Sequence, residues 1–121
     1  MKLILFNIFS LIVVVVKSTC PPKFTQWYTT PTETICGYTR VSSGSDFLYG
    51  DALQTCNSVG AYLPSVHSDK ENQDLRDAVK ASIGQQAKEE QYWFWIGLQC
   101  TSLLQYYWAD GTVVDYESLF C

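Results

Sequence analysis

The sequence holds a single histidine, no Cys-x-x-Cys pair and no excess of basic charge. Each lack removes a class of chemistry. One histidine, His67, rules out a two-histidine metal site, and no His-Glu-x-x-His run is present. Successive cysteines stand 16, 20, 44 and 21 positions apart. Zinc knuckles and redox pairs need closer ligands. Gly44, Gly50 and Gly60 are isolated, so no glycine-rich loop cradles a phosphate. Eight basic residues against twelve acidic ones give a net charge of −4. That excludes the cationic footprint needed for nucleic acid or anionic lipid. No N-glycosylation acceptor is found either, since Asn57-Ser58-Val59 and Asn72-Gln73-Asp74 both fail at the third position.

What is present begins with an apolar leader. Met1-Lys2 precedes Leu3–Phe6, Ile8-Phe9 and a run from Leu11 to Val16. A basic start, a short apolar stretch and small residues behind it describe a secretory signal peptide. Val16 and Ser18 suit the −3 and −1 positions, which places the cut after Ser18. Asn7 and Ser10 interrupt the stretch, and it falls short of the ~20 apolar residues that a membrane span needs. Residues 1–18 are thus expected to be the signal and 19–121 a single domain. Loss of Lys2 and Lys17 leaves 103 residues with a formal charge of −6. All five cysteines survive the cut. In a secreted chain of this size they read as a disulfide framework with one thiol to spare.

Residues 19–45 are rich in Thr, Ser, Pro and Gly and lack helical periodicity, so they read as an extended lead-in. From Phe47 the period changes. Tyr49, Ala52, Leu53 and Cys56 fall on one helical face, with Gly60 as the stop. Leu63 and Val66 anchor a link in which Pro64 holds the chain extended. Ser68-Asp69-Lys70-Glu71 matches a capping box, with the glutamate expected to reach back to the cap. A second helix follows through Leu75, Ala78, Val79 and Ile83, ending at Gly84. Gln85–Gln91 is a polar bridge. Tyr92–Leu98 is apolar on both parities and reads as one strand buried on both faces. Asp110-Gly111 between β-forming residues reads as a hairpin turn. The class is α+β, with helices segregated from the sheet.

Few residues here carry chemistry. His67 reads as a packed or solvated link residue. Asp110, Asp115 and Glu117 cluster near the expected hairpin, but read as a turn aspartate plus surface acids rather than as the six to eight oxygens that calcium takes. No nucleophile or acid pair stands out for catalysis, so no catalytic residue is named. Trp95 and Trp108 are assigned to the core, while Trp93 is open between core and a sugar-stacking surface.

Three ordered motifs carry a family resemblance. Cys20-Pro21 with Cys36-Gly37-Tyr38 looks like an N-terminal cysteine hairpin. Ala52-Leu53 and Cys56, then Gly60-Ala61-x-Leu63-Pro64-Ser65-Val66-His67-Ser68 with Glu71-Asn72, resemble a first-helix cysteine and the link into the second helix. Trp95-Ile96-Gly97-Leu98 after Phe94, and Trp108-x-Asp110-Gly111-Thr112, complete the pattern. Together they resemble a C-type lectin-like domain, of the secreted kind abundant in nematodes. The resemblance implies two helices plus small antiparallel sheets, bridged by disulfides. It implies an extracellular binding role, with carbohydrate as the family-level ligand. In many members calcium and sugar are held by a Glu/Gln-Pro-Asn/Asp motif and a later Trp-Asn-Asp motif. No proline follows Pro64 and no tryptophan follows Trp108. No calcium or sugar ligand is therefore carried over, and calcium enters only with a C-terminal continuation that supplies those motifs.

The resemblance also orders the cysteines. Cys20 and Cys36 are expected to pair. Cys56 matches the position whose partner lies near the family's C-terminus, in strands and a long loop that this chain lacks, so it reads as the orphan of a domain incomplete at that end. Cys100 and Cys121 are expected to pair, unless Cys121 serves Cys56 and leaves Cys100 over. A spare thiol also leaves room for a disulfide-linked dimer. Expected partners are glycans or a protein ligand, with no nucleic acid and no membrane span after signal cleavage. A calcium-independent domain binding a protein or lipid is the alternative, and a small secreted hydrolase is the alternative from another class.

Overall fold

A computed structural model of the chain describes residues 2–3, 9–17, 19–43, 48–84 and 92–116. Seven strands and two helices follow in the order β1 (Lys2–Leu3), β2 (Phe9–Lys17), β3 (Thr25–Thr29), β4 (Thr34–Ser43), α1 (Tyr49–Ser58), α2 (Asp69–Ile83), β5 (Tyr92–Trp95), β6 (Leu98–Cys100) and β7 (Tyr106–Trp108). The first five strands in one sheet run β1-β5-β2-β4-β3, and β6 pairs with β7 in a second. The class is α+β, and the helices, small sheets and disulfide fit a lectin-like domain.

The residues read as a leader form β2, antiparallel to β4 from Phe9↔Ser43 to Lys17↔Ile35 and parallel to β5. Valines at positions 13–16 suit a strand because branched side chains fit a pleated surface. The extended lead-in is a β3–β4 hairpin. Its cause is local. Cys20 and Cys36 are joined with Cα atoms 5.3 Å apart, and the Trp27 ring lies over Gly37, 2.5 Å from where a Cβ would stand.

The helices follow their periodicity. Ala52 and Cys56 are buried on α1, and Leu75, Val79 and Ile83 on α2. Asp51 caps α1 by accepting from Leu48 N at 3.2 Å. Gly60 has φ 71° and turns the chain out of α1. Ser68 caps α2, accepting from Glu71 N at 3.1 Å. Glu71 does not return the bond to the cap. It reaches one residue further, to His67 N at 2.9 Å. Burial holds α2 in place. Each apolar side chain contributes about 1.5–3 kcal/mol, against at most ~0.5 kcal/mol for an exposed pair such as Lys70–Asp74.

Two apolar clusters form the core. Ile35, Val66, Leu75, Val79, Ile83, Phe94, Ile96, Leu98 and Trp108 make one, and Ala52, Cys56, Ala61 and Leu63 the other. Trp95 packs edge-on to Tyr49, ring centroids 5.3 Å apart. Burial pushes the Cys56 thiol up to about 12, which favours the neutral thiol over the thiolate. Cys100 is exposed, and its Sγ lies 3.6 Å from Thr101 O. Cys121 and Glu117 lie outside the described residues, as does the side chain of Trp93 and the bridge 85–91.

Two further expectations are corrected. Tyr92–Leu98 is not one strand. It breaks at Ile96-Gly97, and its halves join different sheets. Gly97 N donates to Pro64 O at 2.8 Å, and Gly97 O accepts from Ala109 N at 2.8 Å, so its backbone groups serve neighbours outside a ladder. Nor does Asp110-Gly111 head a hairpin. Gly111 has φ 76° and closes a turn onto Trp108 O, but Asp110 does not have positive φ, as the tight hairpin turn demands. β7 pairs backwards with β6 instead.

A Cβ on Gly97 would stand 3.0 Å from Leu63 O and 3.3 Å from Ala109 Cβ. Gly97→Ala is expected to cost about 1–3 kcal/mol. Urea unfolding with an unchanged slope and a lower midpoint is the check. An unshifted midpoint would show that the junction has room to spare.

Candidate functional site

A cleft of about 440 Å³ opens between the β3–β4 turn, the link before α2 and the segment after the Asp110 turn. Each wall has a local cause. Pro31 favours a turn at this point, and Thr30 locks it. Thr30 N donates to Glu33 O at 2.8 Å, and Thr30 Oγ1 accepts from Glu33 N at 3.1 Å. This sets Thr30, Thr32 and Glu33 on one rim. Tyr28 and Ile35 line the same wall, and Ser65, His67 and Glu71 come from the link and α2. Thr112, Val113 and Asp115 close the far side.

The far side is held by one carboxylate. Asp110 Oδ2 accepts from Ser65 Oγ at 2.6 Å, and Oδ1 accepts from Thr112 N at 3.0 Å and Thr112 Oγ1 at 2.6 Å. His67 stands beside this group. Its Nδ1 is 2.7 Å from Asp115 Oδ1, and its Nε2 is 3.1 Å from Ser65 Oγ and 3.2 Å from Thr112 Oγ1. Both hydroxyl protons are used on Asp110, so Nε2 faces two lone pairs and Nδ1 faces a carboxylate. Tyr116 donates to Asp69 at the start of α2, which ties down the end of the same segment.

The cluster has the members of a catalytic relay without its proton arrangement. Ser65, His67 and Asp115 touch in the order of a nucleophile, base and carboxylate relay. But the Ser65 hydroxyl points its proton at Asp110, and the residue is only 7 % exposed. Calcium does not fit either. The Asp110 oxygens already take three donors, and Asp115 holds His67. Among the described residues no group of three or more His, Cys, Asp or Glu is placed to hold a metal ion.

The electrostatics of the cleft are acidic. Glu33, Glu71 and Asp115 line it, and among the described lining residues there is no lysine or arginine. Burial first, and then the charges of Glu71 and Asp74, push the Tyr28 hydroxyl well above the usual tyrosine range. Tyr28 therefore stays a protonated donor.

Of the residues singled out in the sequence, Trp108 and Leu98 are buried beneath this region and Asp110 and Asp115 are in it. Cys56 and Trp95 belong to the other cluster. Ser65, Thr112, Glu33 and Tyr28 were not signalled as a site. The Asp110-x-Thr112 spacing was the available clue, because a turn aspartate commonly accepts from the amide two residues on.

Asp110→Ala leaves the buried Ser65 hydroxyl and the Thr112 amide without their acceptor. A loss of about 2–3 kcal/mol is expected. Faster amide exchange over 111–116, with α2 still protected, is the accompanying sign. Uniform protection in the variant would show that other contacts hold the segment.

Comparison with known proteins gives a family. Neither the curated proteins nor the solved structures contain a match to this sequence. The profile of the Lectin C-type domain matches residues 48–120, from the start of α1 through the cluster around Asp110. This lectin-like binding module, with its two helices, small sheets and Cys20–Cys36 bridge, belongs to the C-type lectin domain family.

Proposed function

We propose that the protein is a secreted binding module that takes a carbohydrate in the cleft by direct hydrogen bonds, without calcium. The observation that carries this is the lining. Carboxylates of Glu33, Glu71 and Asp115 accept, hydroxyls of Tyr28, Thr30 and Thr32 donate or accept, and Ile35 and Val113 supply apolar surface. Sugar hydroxyls need both roles at close range, and sugar C–H faces need apolar contact. The excess of acids favours neutral or amino sugars over anionic ones. The role is recognition rather than catalysis, because Ser65 does not present its proton to His67.

Secretion rests on the leader and on the bridge, since disulfides persist in oxidising compartments. Among the described residues no helix is long and apolar enough to cross a membrane.

Two measurements test this reading. Mass spectrometry of protein recovered from the culture medium is expected to find Thr19 at the N-terminus, and an intact Met1 would remove the signal assignment. On a glycan array, retention is expected to survive chelation by EDTA, and Glu33→Gln is expected to lower affinity about tenfold or more through loss of a charge-assisted bond. Retention that EDTA abolishes, or no retention on any glycan, would overturn it.

A further inference from the structure

The loop between β6 and β7 carries two costs at once. Leu103 and Leu104 are 78 % and 72 % exposed. Leu104 is also left-handed, with φ 57°, a conformation that leucine adopts at a cost which glycine or asparagine avoids. The loop is firmly built. Thr101 N donates to Gln105 O at 2.9 Å and Leu104 N to Thr101 O at 3.0 Å. Thr101 Oγ1 accepts from Leu103 N at 3.3 Å and from Gln105 N at 3.2 Å. Buried Leu98 and Trp108 pair at the base. A braced hairpin thus holds two leucines out in water, one of them in a backbone shape that suits leucine poorly. Strain fixed in this way points to a place of use.

Charge indicates the partner. No Asp, Glu, Lys or Arg occurs between Glu90 and Asp110. The residues next to the leucines, Ser102 and Gln105, are neutral, and Tyr107 is exposed behind them. Protein rims normally carry charged groups that fix register and suppress wrong partners. An apolar tip with a tyrosine behind it and no charge suits the interface of an electrically neutral bilayer, where tyrosine settles among headgroups and leucine below them. The net charge of −4 argues against an anionic leaflet.

We propose that the Leu103-Leu104 tip inserts into the surface of a zwitterionic lipid bilayer and docks the module there peripherally. Two side chains give weak and reversible attachment, each leucine contributing about tenfold in partition. The surface is separate from the carbohydrate cleft, so each reading stands or falls alone.

The test is co-sedimentation with phosphatidylcholine vesicles. Wild type and variants are compared in the same N-terminal form, so that residues 1–18 contribute equally where present. The double variant Leu103→Ser with Leu104→Asn removes the apolar tip, and asparagine tolerates the left-handed position. It is expected to melt no lower than wild type and to lose about tenfold or more of its vesicle binding. Leu103→Trp is expected to bind at least as well as wild type and to shift its fluorescence to the blue on vesicles. Binding is expected to be insensitive to salt. Equal binding by wild type and the double variant, no binding by wild type, or retention only on anionic vesicles would each overturn the proposal.

Discussion

At Gly97 three segments of backbone meet at an approach that a side chain would crowd. Its N–H reaches back to the link at Pro64, and its carbonyl takes the amide of Ala109 after β7. The larger core cluster draws on both sides of this point, through Val66, Ile96, Leu98 and Trp108. The junction decides where the chain leaves the first sheet and enters the second. It also decides how the link carrying Ser65 and His67 lies against the turn carrying Asp110. Without that approach the donors and acceptors of the cleft would not converge.

Convergence is then completed by polar contacts that work as a set. Asp110 takes donors from the link and from its own turn, and His67 spans to Asp115. Glu71 serves both as a wall of the cleft and as a brace for the His67 amide. Fully paired groups of this kind are favourable in a half-buried setting, where an orphaned one is costly. Among the described residues no group of three or more His, Cys, Asp or Glu is left placed for a cation. Recognition through hydroxyls and acids of the side chains themselves fits that constraint better than recognition through a metal.

Much of this was legible in the sequence, and the rest has identifiable reasons for being hidden. Both helices were readable because Ala52, Cys56, Leu75, Val79 and Ile83 recur at the helical period and are the residues found buried. The family motifs placed the Cys20–Cys36 bridge and the Trp-Asp-Gly turn. The β3–β4 hairpin was legible only through the cysteine motif, because its stability comes from that bridge and from Trp27 over Gly37, and not from alternating apolar residues. The break inside Tyr92–Leu98 was hidden because burial on both parities looks alike in one strand and in two. The Asp110 turn misled because its side chain is recruited by Ser65, a contact that spans 45 positions. The cleft draws residues from three separate stretches of chain, and no local pattern announces such a gathering.

The place of β2 in the sheet has a consequence for the life history of the chain. It lies inside the five-stranded order, between β5 and β4, and not at a margin. A processing cut after Ser18 would therefore not trim this sheet but divide it. The β3–β4 hairpin, held by its own disulfide, would be left on one side and β5 on the other. Precursor and product would then have different strand topologies, and cleavage would itself be a step in folding. The timing of that cut relative to closure of the Cys20–Cys36 bridge would decide which of the two architectures the chain reaches first.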